Sequence, residues 1–535
     1  MKSSLAILLL IAIPAWPQSP LPDIRPNALA SHIRFLADDL LEGRETGSRG
    51  FELAARYVAA NFSAMGLQPA GDDSSYFQHV RFRSSKLVAP QSTFVMHDGK
   101  TDVALEAKKD FLLRPSFLGE SEEISAPLVF VGYGITAPEL KHDDYASIRV
   151  NGKIVVMMSG APTTFANDQR AYYSGGLVKE QIAAKHGAAG LILLRSNADE
   201  ARYSFEKAAQ QSDMVSMRYL DAGGHPADTL PQIHAVATIS RAGAKLLFAR
   251  AQMTPDQLLA DTEKNIAHSF PLNVSATIRT VSTFANAESE NVVATLPGSD
   301  PARRNEYVVV SAHLDHLGDH GNGADRIHNG AYDNASGIAA MLEISRAFAS
   351  LPQAPPRSML FVALTGEEKG EQGSEYLAAH PPVAGSIVAD VNMDMFLMLF
   401  PAKDLVALGG EHTTLGPIAR EAAERVGMTI SPDPIPEEVR FIRSDQYSFV
   451  KQGVPAISLK TGSSSADPAI DGDKVTKEWL RNIYHTPKDD MNQPFDFVTG
   501  VKYAQTNFLI ALGAASAAQR PAWNAGDFFG DTFGK

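Results

Sequence analysis

The feature that most constrains the fold is an alternation in the second half of the chain. From about residue 290, unbroken apolar runs of strand length alternate with segments whose apolar residues recur at helical spacing. EYVVVSAH (306–313), SMLFVAL (358–364), SIVADVNMDM (386–395), DLVALGG (404–410) and PAISL (455–459) read as strands. Residues 336–348, with Ile338, Met341, Leu342 and Ser345 on one stripe, read as a helix, as do 374–379, 415–426 and 497–518. Apolar runs without polar alternation belong to strands covered on both faces, and helices between strands make parallel crossovers. The pattern predicts an α/β fold with a mixed, mainly parallel central sheet flanked by helices.

The first half is less regular. Residues 26–66 read as two helices, one with Ile33, Leu36, Leu40 and Leu41 on its apolar face. The other carries Ala54, Ala55, Tyr57, Val58, Ala59 and Phe62 and ends at Gly66. EGRETGSRG between them reads as a polar, Gly-rich loop. From about 120, PLVFVGYGI, GKIVVMM and AAGLILL are short strands, with a helix over 178–185. Residues 192–235 look polar and irregular, and HAVATIS and a helix over 241–253 follow.

The N-terminus, MKSSLAILLLIAIPAWPQ, has a charged Lys2 and then an apolar run over 5–15, too short to cross a bilayer. Residues 1–18 read as a cleavable secretory signal, which implies a secreted or periplasmic product. No later stretch approaches a membrane span.

Composition narrows the chemistry. There is no cysteine, so disulfides, thiol nucleophiles and Cys-ligated metals are excluded, and nitrogen and oxygen must hold any metal. With 61 acidic against 48 basic residues the net charge is −13, which lacks the basic footprint of a nucleic-acid binder. In α/β sheets, ligands bind beyond the carboxyl ends of the strands. Those ends are polar here. Strand 306–313 runs into His313 and Asp315; YDNASG puts Asp333 ahead of a helix; TGEEKG follows strand 358–364 with Glu367 and Glu368. NMDMF carries Asp394, and the late loop YHTPKDD carries Tyr484 and His485. Taken singly, each is an ordinary cap or loop residue. Together, two imidazoles and several carboxylates form the ligand set of a dinuclear site, most often zinc. Of two adjacent glutamates that diverge in direction, one can ligate while the other moves a proton.

The motifs LADDLLEGRETGSRG (36–50), AHLDHLG, GAYDNASG, LTGEEKGEQGSEY, NMDM, FIRSDQYSFVKQGVPAISL and YHTPKDD resemble the co-catalytic di-zinc aminopeptidases. That family includes glutamate carboxypeptidase II-like enzymes and the catalytically dead transferrin receptors. The resemblance implies a zinc exopeptidase fold and two Zn2+ ions, with Co2+ or Mn2+ tolerated by the ligands. It implies His313 and Asp394 on one ion, Glu368 and His485 on the other, and Asp333 bridging. It makes Glu367 the general base, Asp315 the partner that fixes the His313 tautomer, and Tyr484 a phenol that stabilises the oxyanion. SDQYSF departs from the more usual SDHxPF. VFVGYGITAP, DDYASIRVNGKIVVMM and KHGAAGLILL resemble a protease-associated domain. The implied organisation is a signal over 1–18, peptidase segments over 24–119 and 266–520, a protease-associated insertion over 120–265, and a tail over 521–535. The substrates implied are peptides with a free N-terminus.

Other features read as ordinary. His316, His320 and His328 sit in a polar loop and are expected to be solvated. Ser336 lacks a nucleophile elbow, and no HExxH helix occurs. DPAIDGD (467–473) lacks the register of a calcium loop and reads as turn capping. Three other functions fit the same scaffold: a carboxypeptidase or dipeptidase using Arg440 and Arg443, a non-catalytic binding protein, and, more weakly, a single-zinc glutaminyl cyclase.

Overall fold

The computed structural model describes residues 21–534 apart from 267, 321 and 322. The expected signal at 1–18 lies outside the described residues. Two sheets share one strand. The first has the spatial order Ser216–Tyr219, Phe77–Leu87, the second half of Ser269–Leu296, Ser358–Leu364, Glu306–His313, Ser386–Asn392, Ala456–Thr461, Asp404–Leu408 and Thr429–Ser431. The four strands from Ser358–Leu364 to Ala456–Thr461 are mutually parallel, as the unbroken apolar runs require. Alternate side chains go to opposite faces. Val308, Val310 and Ala312 pack with the helices Pro26–Leu36, Ser336–Ala349 and Phe497–Ser516, whereas Val309, Leu360 and Val362 pack beneath Gln372–Ala379.

The second sheet takes its strands from 93–281. Ile124-bearing Ser121–Val131, Ile154–Met158, Gly190–Leu194 and Ala235–Ile239 run parallel, and the first half of Ser269–Leu296 lies antiparallel between Ser121–Val131 and Thr93–His97. That 28-residue strand has the inside-outside burial of a half-exposed ribbon and crosses from one sheet to the other near residue 281.

Three local expectations are corrected. Residues 192–235 are not irregular: they form the helices Asn197–Arg202 and Phe205–Gln211 and the strand Ser216–Tyr219, which pairs with Phe77–Leu87 in the first sheet. The helix expected over 241–253 stops at Leu247. Leu40 is exposed, because the first helix ends at Leu36 and a tight turn rotates Leu40 outward.

The polar Gly-rich loop is also not a solvated connection. Arg44, 1% exposed, donates to the carbonyls of Leu314 (2.9 Å), Asn329 (2.6 Å), Gly330 (3.1 Å) and Leu36. Gly43 has φ +70°, and a Cβ there would lie 2.7 Å from the carbonyl oxygens of Gly318 and His328. The loop therefore lies directly under residues 314–318 and 328–330 and holds them down. Removing the guanidinium takes that donor from the buried carbonyls of Leu36, Leu314 and Asn329, at roughly 1 kcal/mol or more each, and leaves Gly330 with Ala335 N–H alone. Arg44→Met should lower unfolding free energy by about 3–5 kcal/mol, measured by urea denaturation; a loss below about 1 kcal/mol would contradict this role.

Candidate metal centre and active site

All eight residues singled out by the sequence come to one rim, at the carboxyl ends of the parallel strands. His313 is the last residue of the strand Glu306–His313, and Asp333 lies in the turn before the helix Ser336–Ala349. Glu367 and Glu368 follow Ser358–Leu364, and Asp394 follows Ser386–Asn392. Tyr484 and His485 follow the helix Gly472–Asn482.

Nε2 of His313 lies 3.3 Å from Oδ1 of Asp333 and 3.3 Å from Oδ1 of Asp394. Nε2 of His485 lies 3.2 Å from Oδ2 of Asp333 and 3.3 Å from Oε2 of Glu368. The two oxygens of Asp333 thus face two separate ligand groups. Two ligands at 2.0–2.1 Å from a tetrahedral ion are separated by about 3.4 Å. The donors therefore stand where two divalent ions would place them, one on each side of Asp333. Nitrogen and carboxylate oxygen also suit borderline divalent ions.

Electrostatics point the same way. Burial opposes a charge on His485, but Glu368 and Asp333 push its pKa up to about 10. Burial opposes ionisation of Asp333, yet the imidazoles of His316, His313 and His485 outweigh it and hold the carboxyl well below its ordinary range. Burial, with Glu368, Asp394 and Asp445 nearby, pushes Glu367 well above its ordinary range against the pull of His313. These carboxylates are crowded enough that cations are the natural counter-charge. Burial also pushes the Tyr484 phenol up, with Asp333, Glu368 and Glu367 adding to it, so its proton stays available for donation.

Asp315 differs from expectation. Its carboxylate is 4.0 Å from Nδ1 of His313, too far for a hydrogen bond. His313 Nδ1 instead donates to the Asp315 main-chain carbonyl at 3.1 Å. The carboxylate accepts from Thr46 Oγ1 (2.9 Å) and from the backbone N–H groups of Glu367 and Glu368 (3.2 Å each). Asp315 therefore orients His313 through its backbone and the two glutamates through its side chain.

Several residues of the site were missed. His316 is fully buried and donates from Nδ1 to Oε1 of Glu368 at 2.7 Å, leaving Oε2 turned toward His485. His328 is buried as well, whereas His320 is half exposed, as expected of a loop histidine. Asp489 accepts from the N–H groups of Tyr332 (2.9 Å) and Asp333 (3.0 Å). Lys460 pairs with Asp394 Oδ2 at 3.0 Å and donates to its main-chain carbonyl. Arg440 pairs with Asp433 at 2.5 Å and Arg443 with Glu438 at 3.1 Å, so both carry a carboxylate partner on their own loop. Asp467 and Asp471 cap turns, as read from DPAIDGD.

The His316 bond fixes which Glu368 oxygen is free. Outer partners of this kind are worth roughly 10–100-fold in metal affinity. His316→Ala should weaken retention of one of two ions by that factor in a competing-chelator titration; unchanged affinity would show that Glu368 is oriented without it.

Residues 291–502 match Peptidase family M28. Among curated proteins, "Aminopeptidase YwaD" of Bacillus subtilis (strain 168) is 26% identical over 233 residues, covering 41% of this chain and 45% of that protein. A "Probable zinc metalloprotease" of Pyrenophora teres f. teres is 35% identical over 105 residues, covering 19% of this chain and 22% of that protein. The matched stretches thus span less than half the length of these curated relatives. In fold, the chain is similar to an aminopeptidase from Aneurinibacillus sp. strain AM-1, with TM-score 0.52 and 20% identity over 92% of this chain and 94% of that one. The stretch that matches Peptidase family M28, residues 291–502, contains all eight rim residues from His313 to His485.

Proposed function

We propose that the protein is an exported, zinc-dependent aminopeptidase that hydrolyses the N-terminal bond of peptides with a free α-amine. The observation that carries this is Asp333, whose two oxygens each face a separate imidazole-carboxylate pair beside a buried glutamate. His313 and Asp394 would hold one Zn2+, Glu368 and His485 the other, and Asp333 both. The ions would supply Lewis acidity and acidify the attacking water. Glu367 takes a proton from that water on a carboxylate oxygen and gives it to the leaving amine nitrogen. Tyr484 donates its phenolic hydrogen to the carbonyl oxygen as negative charge builds there. Asp315 keeps the Glu367–Glu368 backbone in place through both N–H groups. The names of the Bacillus and Pyrenophora relatives support the aminopeptidase and zinc parts of the reading. The charged and apolar segments at 1–18 support export.

For the domain organisation, the strand pairing supports a protease-associated insertion wider than 120–265. It would run from 88 to 281, since 93–97 and 269–281 pair within the second sheet. Such a domain is carried on the peptidase body by two adjacent strands, Phe77–Leu87 and Ser269–Leu296.

Glu367→Gln should keep both rim ions while turnover of an aminoacyl chromogenic substrate falls by at least about 10²–10⁴-fold. Retained turnover would remove Glu367 from the base role. N-acetylation of the substrate should abolish cleavage by the wild type. Cleavage of the blocked substrate would favour a carboxypeptidase, and fewer than about one ion at the rim a non-catalytic scaffold.

A further inference from the structure

Away from the rim, one histidine is buried among carboxylates drawn from three distant parts of the chain. His412 follows the strand Asp404–Leu408, and its side chain is 4% exposed. Nδ1 lies 2.6 Å from Oδ2 of Asp527, whose other oxygen caps the helix Phe528–Phe533 at Gly530 N–H. Nε2 has no hydrogen bond among the described residues. It is directed between Oδ1 of Asp168, in the first turn of the helix Asn167–Ser174, and Oε1 of Glu411, each at 3.7 Å. Phe441 stacks on the ring at 5.0 Å and Phe529 meets it edge-on at 5.1 Å, which fixes its direction.

Distance separates this arrangement from a plain ion pair. A charge-assisted hydrogen bond would close to about 2.7–2.9 Å. The observed 3.7 Å is instead within a few tenths of the ~3.4 Å between two ligands of one tetrahedral ion. The same layout, an imidazole facing two carboxylate oxygens, recurs twice in the rim at 3.2–3.3 Å. The Asp527 contact adds the usual support of a metal-binding imidazole: a carboxylate that keeps hydrogen on one nitrogen and leaves the other lone pair free. Among the described residues, no Lys or Arg pairs with Asp168, Glu411 or Asp527, so three carboxylates share one imidazole.

We propose that His412, Asp168 and Glu411 bind a further divalent cation of the zinc class, with Asp527 orienting the imidazole. The site is separate from the rim, and water completes the coordination. Asp168 belongs to the second-sheet unit, His412 and Glu411 to the first-sheet body, and Asp527 to the C-terminal segment. The ion therefore ties the second-sheet unit to the first-sheet body, Asp527 joins the C-terminal segment through the imidazole, and the reacting groups are not involved.

The test uses the full-length protein loaded with zinc, with elemental analysis and anomalous diffraction at the zinc edge. The expected result is one more ion per chain in the wild type than in Asp168→Asn, and an anomalous peak beside Nε2 of His412. Aminoacyl turnover of Asp168→Asn should stay at the wild-type level, and its unfolding temperature in zinc should be lower. Equal zinc content in the two proteins, or no peak beside His412, would overturn the site and leave an ion-pair latch. Asp168 is partly exposed, so the variant should fold where a His412 variant could fail. Loss of the rim ions alone would count against the peptidase reading and leave this proposal standing.

Discussion

The structure depends on the crowding of carboxylates and imidazoles beyond four parallel strands. Asp315, Asp333, Glu367, Glu368 and Asp394 converge with His313, His316 and His485 where water is largely excluded. Burying one such charge without compensation costs several kcal/mol. The separations of 3.2–3.3 Å are longer than the ~2.7–2.9 Å of a tight charge-assisted hydrogen bond and close to the spacing of two ligands on one ion. The exceptions are informative: His316 does close on Glu368, at 2.7 Å, and it uses the oxygen turned away from His485.

The surrounding scaffold uses buried polar groups as struts. Arg44 gathers carbonyls from the first helix and from segment 314–330, Asp489 holds the turn that carries Asp333, and Asp315 holds the two glutamates. Each strut joins segments far apart in sequence, so the site is specified by the tertiary fold and not by any one loop. The first sheet supplies the strand ends beside which the rim residues lie. The second sheet is attached through a shared strand and returns through Ser216–Tyr219 to the edge of the first.

Much of this was legible in the sequence. Strand 306–313 and strand 358–364 have the limits read from their apolar runs, and His313, Glu367, Glu368 and Asp394 sit at or just beyond the ends of such runs. What escaped was long-range. His316 belongs to a polar loop, and nothing local says that Arg44 and Gly43, some 270 residues earlier, press that loop into the core. The resemblance implies a bond from the Asp315 carboxylate to His313, but the strand ends at His313. The chain turns there, and the carboxylate reaches Thr46 and the glutamate backbone instead. The strand at 216–219 was hidden because it is short and polar on an edge, where burial imposes little pattern.

The central claim is that Asp333 holds two ions, one on each carboxylate oxygen. The direct measurement is the metal-to-metal separation in the zinc-loaded protein, by X-ray absorption or anomalous diffraction. The account predicts two ions about 3.5–4 Å apart, one beside His313 and Asp394 and the other beside His485 and Glu368. A single ion at the rim, or two ions that do not share Asp333, would contradict it.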